Sequence, residues 1–265
     1  MRIRLLLLCA VILAACGQQT DEHQEDAAAT ESAKPGLSIY AAAVSSEARP
    51  DADRSRDAGR KPAEVLEFLG IAEGMTVLDM YSGGGYYTEI LSYVVGDDGK
   101  VVAHSNQAYL NFVGEEFEKR YADDRLPNVE VLMVENNELS LEPNSFDALT
   151  LVLTFHDFVL DDADNGWPLI DVPALLAEFH KGLRPGGIVG IIDHHARAGA
   201  PAETGNTLHR IDPAIVVAAM EAAGFVLEEE SDILRNPDDD LDVNVFDQAL
   251  RGKTDRFLMR FRKQE

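Results

Sequence analysis

Five ionisable side chains stand where two apolar runs of the sequence end. They are His156, Asp157, Asp193, His194 and His195. The runs themselves, 146–155 and 188–193, are long and apolar, as expected of strands buried on both faces of a parallel sheet. Because ligands of such sheets bind beyond the carboxyl ends of the strands, we expect these side chains to converge in one crevice.

Three interpretations of these side chains stay open. In the first, one of His156, Asp157, Asp193 and His194 acts as a general base toward an oxygen or nitrogen nucleophile. In the second, Asp157, Asp193 and His194 bind a divalent ion that orients a hydroxylated substrate. In the third, Asp157 caps the next turn and the histidines line a pocket. We do not expect a metal, so the second interpretation is an alternative.

A second stretch with binding chemistry reads DMYSGGGYYTE at residues 79–89, directly after the apolar run 76–80. A strand followed by a glycine turn and a helix lets backbone N–H groups approach a ligand. Gly83 and Gly85 leave bare backbone there. Asp79 can accept hydrogen bonds from loop amides or from a ligand ammonium group. This stretch therefore predicts a nucleotide or cofactor loop.

Three motifs occur in an order that resembles class I S-adenosylmethionine-dependent methyltransferases. They are VLDMYSGGGYYTEIL (77–91), SFDALTLVLTFHD (145–157) and LRPGGIVGIIDHH (183–195). Four shorter motifs resemble a narrower group of predicted bacterial methyltransferases: GGGYYTE, RDAGRKP (56–62), LHRID (208–212) and RGKTDRF (251–257). The resemblance implies S-adenosylmethionine as cofactor and methyl transfer to a small molecule.

The resemblance also implies which residues bind the cofactor: Asp79, Tyr81, Gly83, Gly85, Asn106 and Glu135. Two of them depart from the pattern of the family. Tyr81 stands where the family has its first glycine, and Asn106 stands where the family has a ribose-binding carboxylate. An amide is a poorer acceptor for a ribose hydroxyl than a charged carboxylate is.

Basic and imidazole side chains outside these motifs are candidates for substrate binding. Arg56 and Arg60 concentrate positive charge before the first long helix, where they can clamp a carboxylate or pair with nearby aspartates. His209 is a candidate lid residue or a surface histidine. His195 completes the predicted substrate set.

The alternation of strand-like and helix-like runs predicts an α/β fold with one doubly wound, mostly parallel, seven-stranded sheet. The predicted strands are 76–80, 101–104, 129–134, 146–155, 188–193, 225–230 and 256–261. The predicted helices are 62–69, 86–95, 108–121, 172–183 and 213–223, the last with Asp212 as its N-cap.

Residues 1–16 have a basic start, a short apolar run and the tetrapeptide LAAC, which resembles the lipobox of bacterial lipoproteins. We expect a signal peptide at 1–16, an acylated Cys16, an acidic tether at 17–37 and a single domain at 38–265. The protein would then be exported and lipid-anchored to the bacterial cell envelope, on the periplasmic or outer-membrane side.

The net charge of −24 argues against nucleic acid, because phosphate contacts need a basic surface. A small molecule is the expected partner, with membrane contact through the lipid anchor alone. The alternative to a methyltransferase is an exported binding or accessory protein that has the fold without the transfer, or a metal-dependent enzyme that uses the Asp/His set.

Overall fold

The computed structural model describes residues 38–163 and 166–264, and this part of the chain forms one sheet of seven strands. In chain order the strands are β1 (Thr76–Met80), β2 (Lys100–Ser105), β3 (Val129–Met133), β4 (Phe146–Val152), β5 (Leu183–His194), β6 (Phe225–Ser231) and β7 (Arg256–Lys263). Their order across the sheet is β3-β2-β1-β4-β5-β7-β6. Neighbours from β3 to β5 are parallel, and β7 is antiparallel to both β5 and β6. The predicted doubly wound, mostly parallel sheet is confirmed.

Helices cover both faces of this sheet. They are α1 (Ile39–Val44), α2 (Asp51–Arg54), α3 (Asp57–Arg60), α4 (Pro62–Leu69), α5 (Tyr86–Val95), α6 (Gln107–Val113), α7 (Glu115–Tyr121), α8 (Val172–Gly182), α9 (Thr204–Leu208) and α10 (Pro213–Ala222). Helices α4 and α5 contribute to the core on one face, and α8 and α10 contribute to the core on the other. The strands lie between two apolar layers, which explains their continuous apolar runs.

Local chemistry sets where two of the long helices begin. The amide of Ala174 donates to Oδ1 of Asp171 at 3.1 Å, and the amide of Ala214 donates to Oδ1 of Asp212 at 3.0 Å. A proline follows in the first turn of each helix, where it needs no amide partner. The predicted N-cap at Asp212 is confirmed.

Three predicted elements differ from the structure. The fifth strand, predicted at 188–193, begins at Leu183 and includes the Arg-Pro-Gly-Gly segment. The helix predicted at 108–121 is two helices, because Gly114 between them has a φ of 59° that a continuing helix cannot use. The strand predicted at 146–155 ends at Val152, since Leu153 has a φ of 60° and Phe155–Val159 form a 3₁₀ turn. This early turn brings His156 and Asp157 back over the edge of the sheet.

The described residues form one compact unit. The predicted signal peptide, tether and acylated Cys16 lie outside the described residues. Within the part of the chain that the structure describes, no helix is long and apolar enough to span a membrane.

Candidate active site

The loop between β1 and α5 makes a tight turn at the carboxyl edge of the sheet. Tyr81, Gly83 and Gly85 have φ angles of 54°, 57° and 76°, in the left-handed region. A Cβ atom on Gly85 would lie 2.7 Å from Cγ of Arg120. Glycine at 85 is therefore required both by the backbone angle and by the close packing of α7.

Asp79 is held at the end of β1 by two hydroxyl groups. Thr88 donates to its Oδ2 at 2.6 Å, and Thr150 donates to its Oδ1 at 3.0 Å. The side chain is buried, and this burial raises the pKa of Asp79 to about 6, against the effect of the two hydrogen bonds. The carboxylate is thus preformed at the start of the predicted cofactor loop.

The ring of Tyr81 lies inside the crevice that the strand ends form. Its centroid is 5.3 Å from His104 at the end of β2, 4.7 Å from Tyr109 on α6 and 5.9 Å from Phe158 after β4. The residue is 4% exposed. A tyrosine in the left-handed region is strained by about 1–2 kcal/mol, so the packing of the ring must offset that strain.

Asn106 and Glu135, both predicted to bind cofactor, lie at the same edge and cap α6. Oδ1 of Asn106 accepts from the amide of Tyr109 at 2.9 Å, and Oε1 of Glu135 accepts from the amide of Gln107 at 3.2 Å. The remaining amide of Asn106 donates to Asn136 at 3.4 Å. Both side chains are near the crevice, but each already has a structural role.

Buried polar atoms without a hydrogen-bond partner concentrate in this crevice. Five of the six such atoms in the described residues come from the ends of β1, β2 and β4: Tyr81 Oη, Ser82 Oγ, His104 Nδ1, Ser105 Oγ and Thr154 Oγ1. The sixth, Nε of Arg49, lies outside the crevice. Such groups normally find partners, because leaving one unpaired costs about 1–3 kcal/mol. Their grouping indicates a polar ligand at this edge of the sheet.

Beside the crevice, His156 joins two carboxylates. Its Nδ1 lies 2.7 Å from Oδ1 of Asp193, and its Nε2 lies 3.2 Å from Oδ1 of Asp157. Tyr109 donates its hydroxyl to Oδ2 of Asp157 at 2.5 Å. We call Tyr109, His156, Asp157, Asp193 and His209 the strand-end cluster.

Charge in the strand-end cluster follows from these contacts. Burial disfavours a charged His156, but the carboxylates of Asp193 and Asp157 outweigh it and raise the pKa of His156 above its usual value. Burial likewise disfavours a charged Asp157, yet His156 and the hydrogen bonds around it lower the pKa of Asp157. Without a ligand, the imidazolium form of His156 holds the two carboxylates together.

The other predicted histidines differ in position. His209 reaches the cluster, with Nδ1 3.8 Å from Oδ1 of Asp157 and its ring 5.4 Å from that of His156. Nδ1 of His194 lies 2.8 Å from the hydroxyl of Thr254. Burial, followed by nearby cations, lowers the pKa of His194 well below its usual value, so this ring is neutral. His195 faces the neighbouring backbone, with Nδ1 2.7 Å from the carbonyl of Ala196.

The two predicted substrate arginines lie over the ring of Tyr86, at the end of the cofactor loop. Arg56 pairs with Asp53, as the ion-pair alternative expects. Arg60 has its guanidinium 4.5 Å from the ring centroid of Tyr86, and within residues 38–163 and 166–264 it has no carboxylate partner. Arg60 thus stays a candidate for binding an anion, whereas Arg56 is already engaged.

A network of buried ion pairs joins these N-terminal helices to the cofactor loop. It consists of Arg49, Asp53, Asp57, Glu89, Arg120 and Arg125, and we call it the cap network. Arg120 pairs with Asp53 at 2.6 Å and with Glu89, and its Nε donates to the carbonyl of Gly84 at 2.8 Å. The network therefore fixes the backbone of the glycine loop from outside.

Several residues of the site were missed by reasoning from the sequence. Tyr109, Thr154 and Thr254 contribute hydroxyl groups to the crevice or to its histidines. Tyr109 lies in α6, four residues after the end of β2, and its place just beyond that strand was the available signal. Thr254 has no such signal, because it reaches the site through the reversed direction of β7.

The chain is similar to several known methyltransferases. The profile of the protein-L-isoaspartate(D-aspartate) O-methyltransferase family matches residues 53–137. A demethylmenaquinone methyltransferase of Staphylococcus aureus (strain MRSA252) is 30% identical over 128 residues, which cover 47% of this chain and 45% of that protein. The chain thus matches less than half the length of this curated relative.

Solved structures extend the likeness to most of the chain. An S-adenosylmethionine-dependent methyltransferase from Aquifex aeolicus superposes with a TM-score of 0.56 at 25% identity, covering 86% of this chain and 100% of the other. One from Mesorhizobium loti gives a TM-score of 0.54 at 16% identity, over 78% and 99%. The fold is that of class I S-adenosylmethionine-dependent methyltransferases. Together the matches support that class for this chain, with S-adenosylmethionine as its cofactor.

The residues of the crevice fit this cofactor in their chemistry. The unpartnered atoms of His104, Ser105 and Thr154 can hydrogen-bond its polar groups, and Asp79 faces the same loop. The ring of Tyr81 packs among these groups, and its aromatic neighbours offer a flat apolar surface. The polar donor set fits the cofactor, and Tyr81 decides how much room the cofactor has.

Proposed function

We propose that this protein transfers a methyl group from S-adenosylmethionine to a small-molecule acceptor. The observation that carries the proposal is the group of unpartnered polar atoms at the ends of β1, β2 and β4. It lies at the ligand edge of a methyltransferase fold and directly beside the strand-end cluster. The four shorter motifs favour the narrower group of predicted bacterial methyltransferases.

When bound, S-adenosylmethionine supplies an activated methyl group on a sulfonium centre. Asp79 and the glycine loop would hold the polar end of such a ligand, and Ser105 and Thr154 would hydrogen-bond to its hydroxyl or amine groups. Asp157 is ionised and attracts the hydrogen of an incoming hydroxyl or amine. Positioning of this kind supplies much of the rate of a displacement reaction, and a base adds to it. The neutral ring of His194 is the candidate for that base.

The acceptor we favour carries an apolar part. Phe112 and Phe246 are 67% and 47% exposed, and their rings lie 6.5 Å apart. Phe246 also packs edge to face against His209, with the ring centroids 4.8 Å apart, so this exposed aromatic pair borders the strand-end cluster. The name of the Staphylococcus aureus relative gives demethylmenaquinone as its methyl acceptor, which is a molecule of this kind. The strongly negative charge of the chain also favours a small molecule over nucleic acid.

A second candidate function is ligand binding without transfer. The observation that favours it is the buried ring of Tyr81, which stands in the crevice where the family has a glycine. A protein of this kind would bind S-adenosylmethionine weakly and would release no S-adenosylhomocysteine.

Calorimetric titration of the chain with S-adenosylmethionine tests the cofactor site. We expect binding that Asp79→Asn weakens at least tenfold, whereas Asp98→Asn, the same change at an exposed position, leaves it unchanged. Equal affinity in the two variants would contradict the proposed site. Release of S-adenosylhomocysteine in the presence of reduced quinones then separates transfer from binding alone.

We also propose that Cys16 is acylated and anchors the protein to the cell envelope. The support is the LAAC tetrapeptide after a short apolar run. Metabolic labelling with a fatty-acid analogue should mark the wild type and should not mark Cys16→Ala. Labelling of both would contradict the anchor.

A further inference from the structure

Three side chains of the strand-end cluster bring one ligand atom each to a common point. They are His156, Asp157 and His209, whose donor atoms all lie within 4.8 Å of one another. The Asp157 Oδ1 atom is 3.2 Å from Nε2 of His156 and 3.8 Å from Nδ1 of His209. Ligand atoms bound at about 2.0–2.1 Å around a tetrahedral ion lie about 3.3 Å apart. The spacing between Asp157 and His156 matches that value, and His209, the partly exposed member, would have to move closer to complete the site.

The ligand atoms are supported by a second layer of hydrogen bonds. Asp193 lies 2.7 Å from Nδ1 of His156, the nitrogen opposite the one that faces Asp157. Tyr109 donates to Oδ2 of Asp157 at 2.5 Å, which leaves Oδ1 to face the histidines. A carboxylate behind a ligating histidine is the usual arrangement of protein metal sites, where it fixes the ring and raises its basicity.

His209 is held toward this point by an unusual backbone. Its φ of 54° lies in the left-handed region, immediately after α9. Its ring stands at 89° to that of His156 and packs against Phe246. The side chain of His209 is 25% exposed while that of His156 is 5% exposed, so the cluster opens toward solvent on the His209 side. A fourth ligand, water or substrate, has access from there.

We propose that His156, Asp157 and His209 bind one divalent transition-metal ion, with Asp193 and Tyr109 orienting the ligands. Two imidazoles and one carboxylate suit zinc or ferrous iron better than magnesium or calcium, which prefer oxygen ligands. The set differs from the sequence-based alternative, because Asp193 supports His156 from behind and the paired nitrogen of His194 faces Thr254.

The metal site stands independently of methyl transfer, and its chemical role depends on the proposed function. An ion at this place is open on the side of Phe246, where we expect the acceptor. There it would polarise an acceptor hydroxyl and favour the loss of its proton.

The untagged full chain, stripped with a chelator, tests the site by titration with Co²⁺ and Zn²⁺. We expect one ion per chain, with the visible absorption bands of Co²⁺ in a low-coordinate site. His209→Ala should abolish tight binding. It is the informative variant because its side chain is partly exposed and its loss leaves the ion pairs of His156 intact. Asp193→Asn should weaken binding by about 10–100-fold.

His195→Ala is the matched control, since this neighbouring histidine turns away from the cluster, and it should bind cobalt as the wild type does. Absence of cobalt binding by the wild type would overturn the proposal. So would His209→Ala that binds as tightly as His195→Ala. Asp79→Asn, which tests the cofactor loop, should leave metal binding unchanged, so that the two proposals can fail separately.

Discussion

The cap network and the strand-end cluster both bury charge, but they differ in how completely that charge is matched. In the cap network each cation faces a carboxylate: Arg120 pairs with Asp53 and Glu89, and Arg49 makes two hydrogen bonds to Asp57. The network connects α2, α3, α5 and α7 into one support behind the glycine loop.

At the strand-end cluster the matching is incomplete. One imidazole serves two carboxylates, Arg60 nearby has no carboxylate partner in the described part of the chain, and unpartnered hydroxyl groups lie in the adjoining crevice. Buried polar groups that lack partners are expensive to maintain unless something else repays them. Ion pairs with matched charges thus support the site from behind, whereas polar groups without partners lie at the site itself.

Breaking the cap network should have the largest effect. Arg120→Met leaves Asp53 and Glu89 buried with fewer partners, and we expect a loss of about 3–5 kcal/mol in the free energy of unfolding. Urea denaturation measures it. Arg56→Met removes a half-exposed partner of Asp53 and should lose less than about 1 kcal/mol. Similar losses in both variants would contradict the distinction between Arg120, at the buried centre of the cap network, and Arg56, at its half-exposed edge.

Asp79→Asn should stabilise the protein at neutral pH while weakening cofactor binding. The pKa of Asp79 rises on folding from 3.8 to about 6, so the native state holds this proton more tightly and the group lowers stability as pH rises through that window. Above this pH window the ionised carboxylate lowers the free energy of unfolding by about 3 kcal/mol, because each unit of pKa difference corresponds to about 1.4 kcal/mol. Asparagine has no such charge, so the variant should exceed the wild type at pH 8 and match it near pH 3.5.

Denaturation of the wild type and Asp79→Asn at both pH values checks this prediction. A variant that is no more stable than the wild type at pH 8 would show that the carboxylate is well solvated or paired in the native protein. Thr88 and Thr150 can still bond to the asparagine, because hydroxyl groups both donate and accept.

A pair of tyrosines compares the two regions directly, since each donates its hydroxyl to a buried carboxylate. Tyr109 donates to Asp157 at 2.5 Å and Tyr93 donates to Glu89 at 2.8 Å. Tyr109→Phe should lower the free energy of unfolding by about 2 kcal/mol, the range for a bond to a charged group. Tyr93→Phe should lower it by less than about 1 kcal/mol, because Glu89 keeps Arg120 and Arg125. Equal losses, measured by urea denaturation, would mean that the two carboxylates are equally well supported.

Tyr81→Gly should give the smallest of these free-energy changes, and that change is in cofactor binding. It removes a strained backbone and opens the crevice, so we expect S-adenosylmethionine to bind about tenfold more tightly, or about 1.4 kcal/mol. Calorimetry measures the affinity. Tyr81→Phe keeps the ring and should leave the affinity near that of the wild type. A glycine variant that binds more weakly would show that the ring belongs to the binding surface.

Reasoning from the sequence located the strands because their apolar runs are long and their order is that of a doubly wound sheet. It also predicted that His156, Asp157 and Asp193 lie together, since polar side chains follow apolar strands at the ligand edge, and it singled out His209 from the LHRID motif. It did not find the break in the fourth strand at Leu153, because a leucine in the left-handed region has no sequence signature. Nor did it find that Asn106 and Glu135 cap α6, which depends on the docking of two separate segments.

Pairing between distant charges was the other gap. Asp53 meets Arg120 and Glu89 meets Arg125 across 67 and 36 positions of the chain. Local patterns report which face of a helix is buried, but they do not report which opposite charge lies there. The pairing of Arg56 with Asp53 is local and was left open for a different reason, since substrate clamps and local ion pairs use the same residue types.

The placement of β7 determines when the sheet can be completed during synthesis. β7 comes last in the described sequence, yet it lies between β5 and β6, and it pairs with both. During synthesis, β6 waits without a strand partner until β7 emerges. The same event brings Thr254 to His194 and the carbonyl of Asp255 to the amide of His195. A nascent chain that stops before β7 therefore lacks both the strand partner of β6 and these two contacts to the histidines at the end of β5.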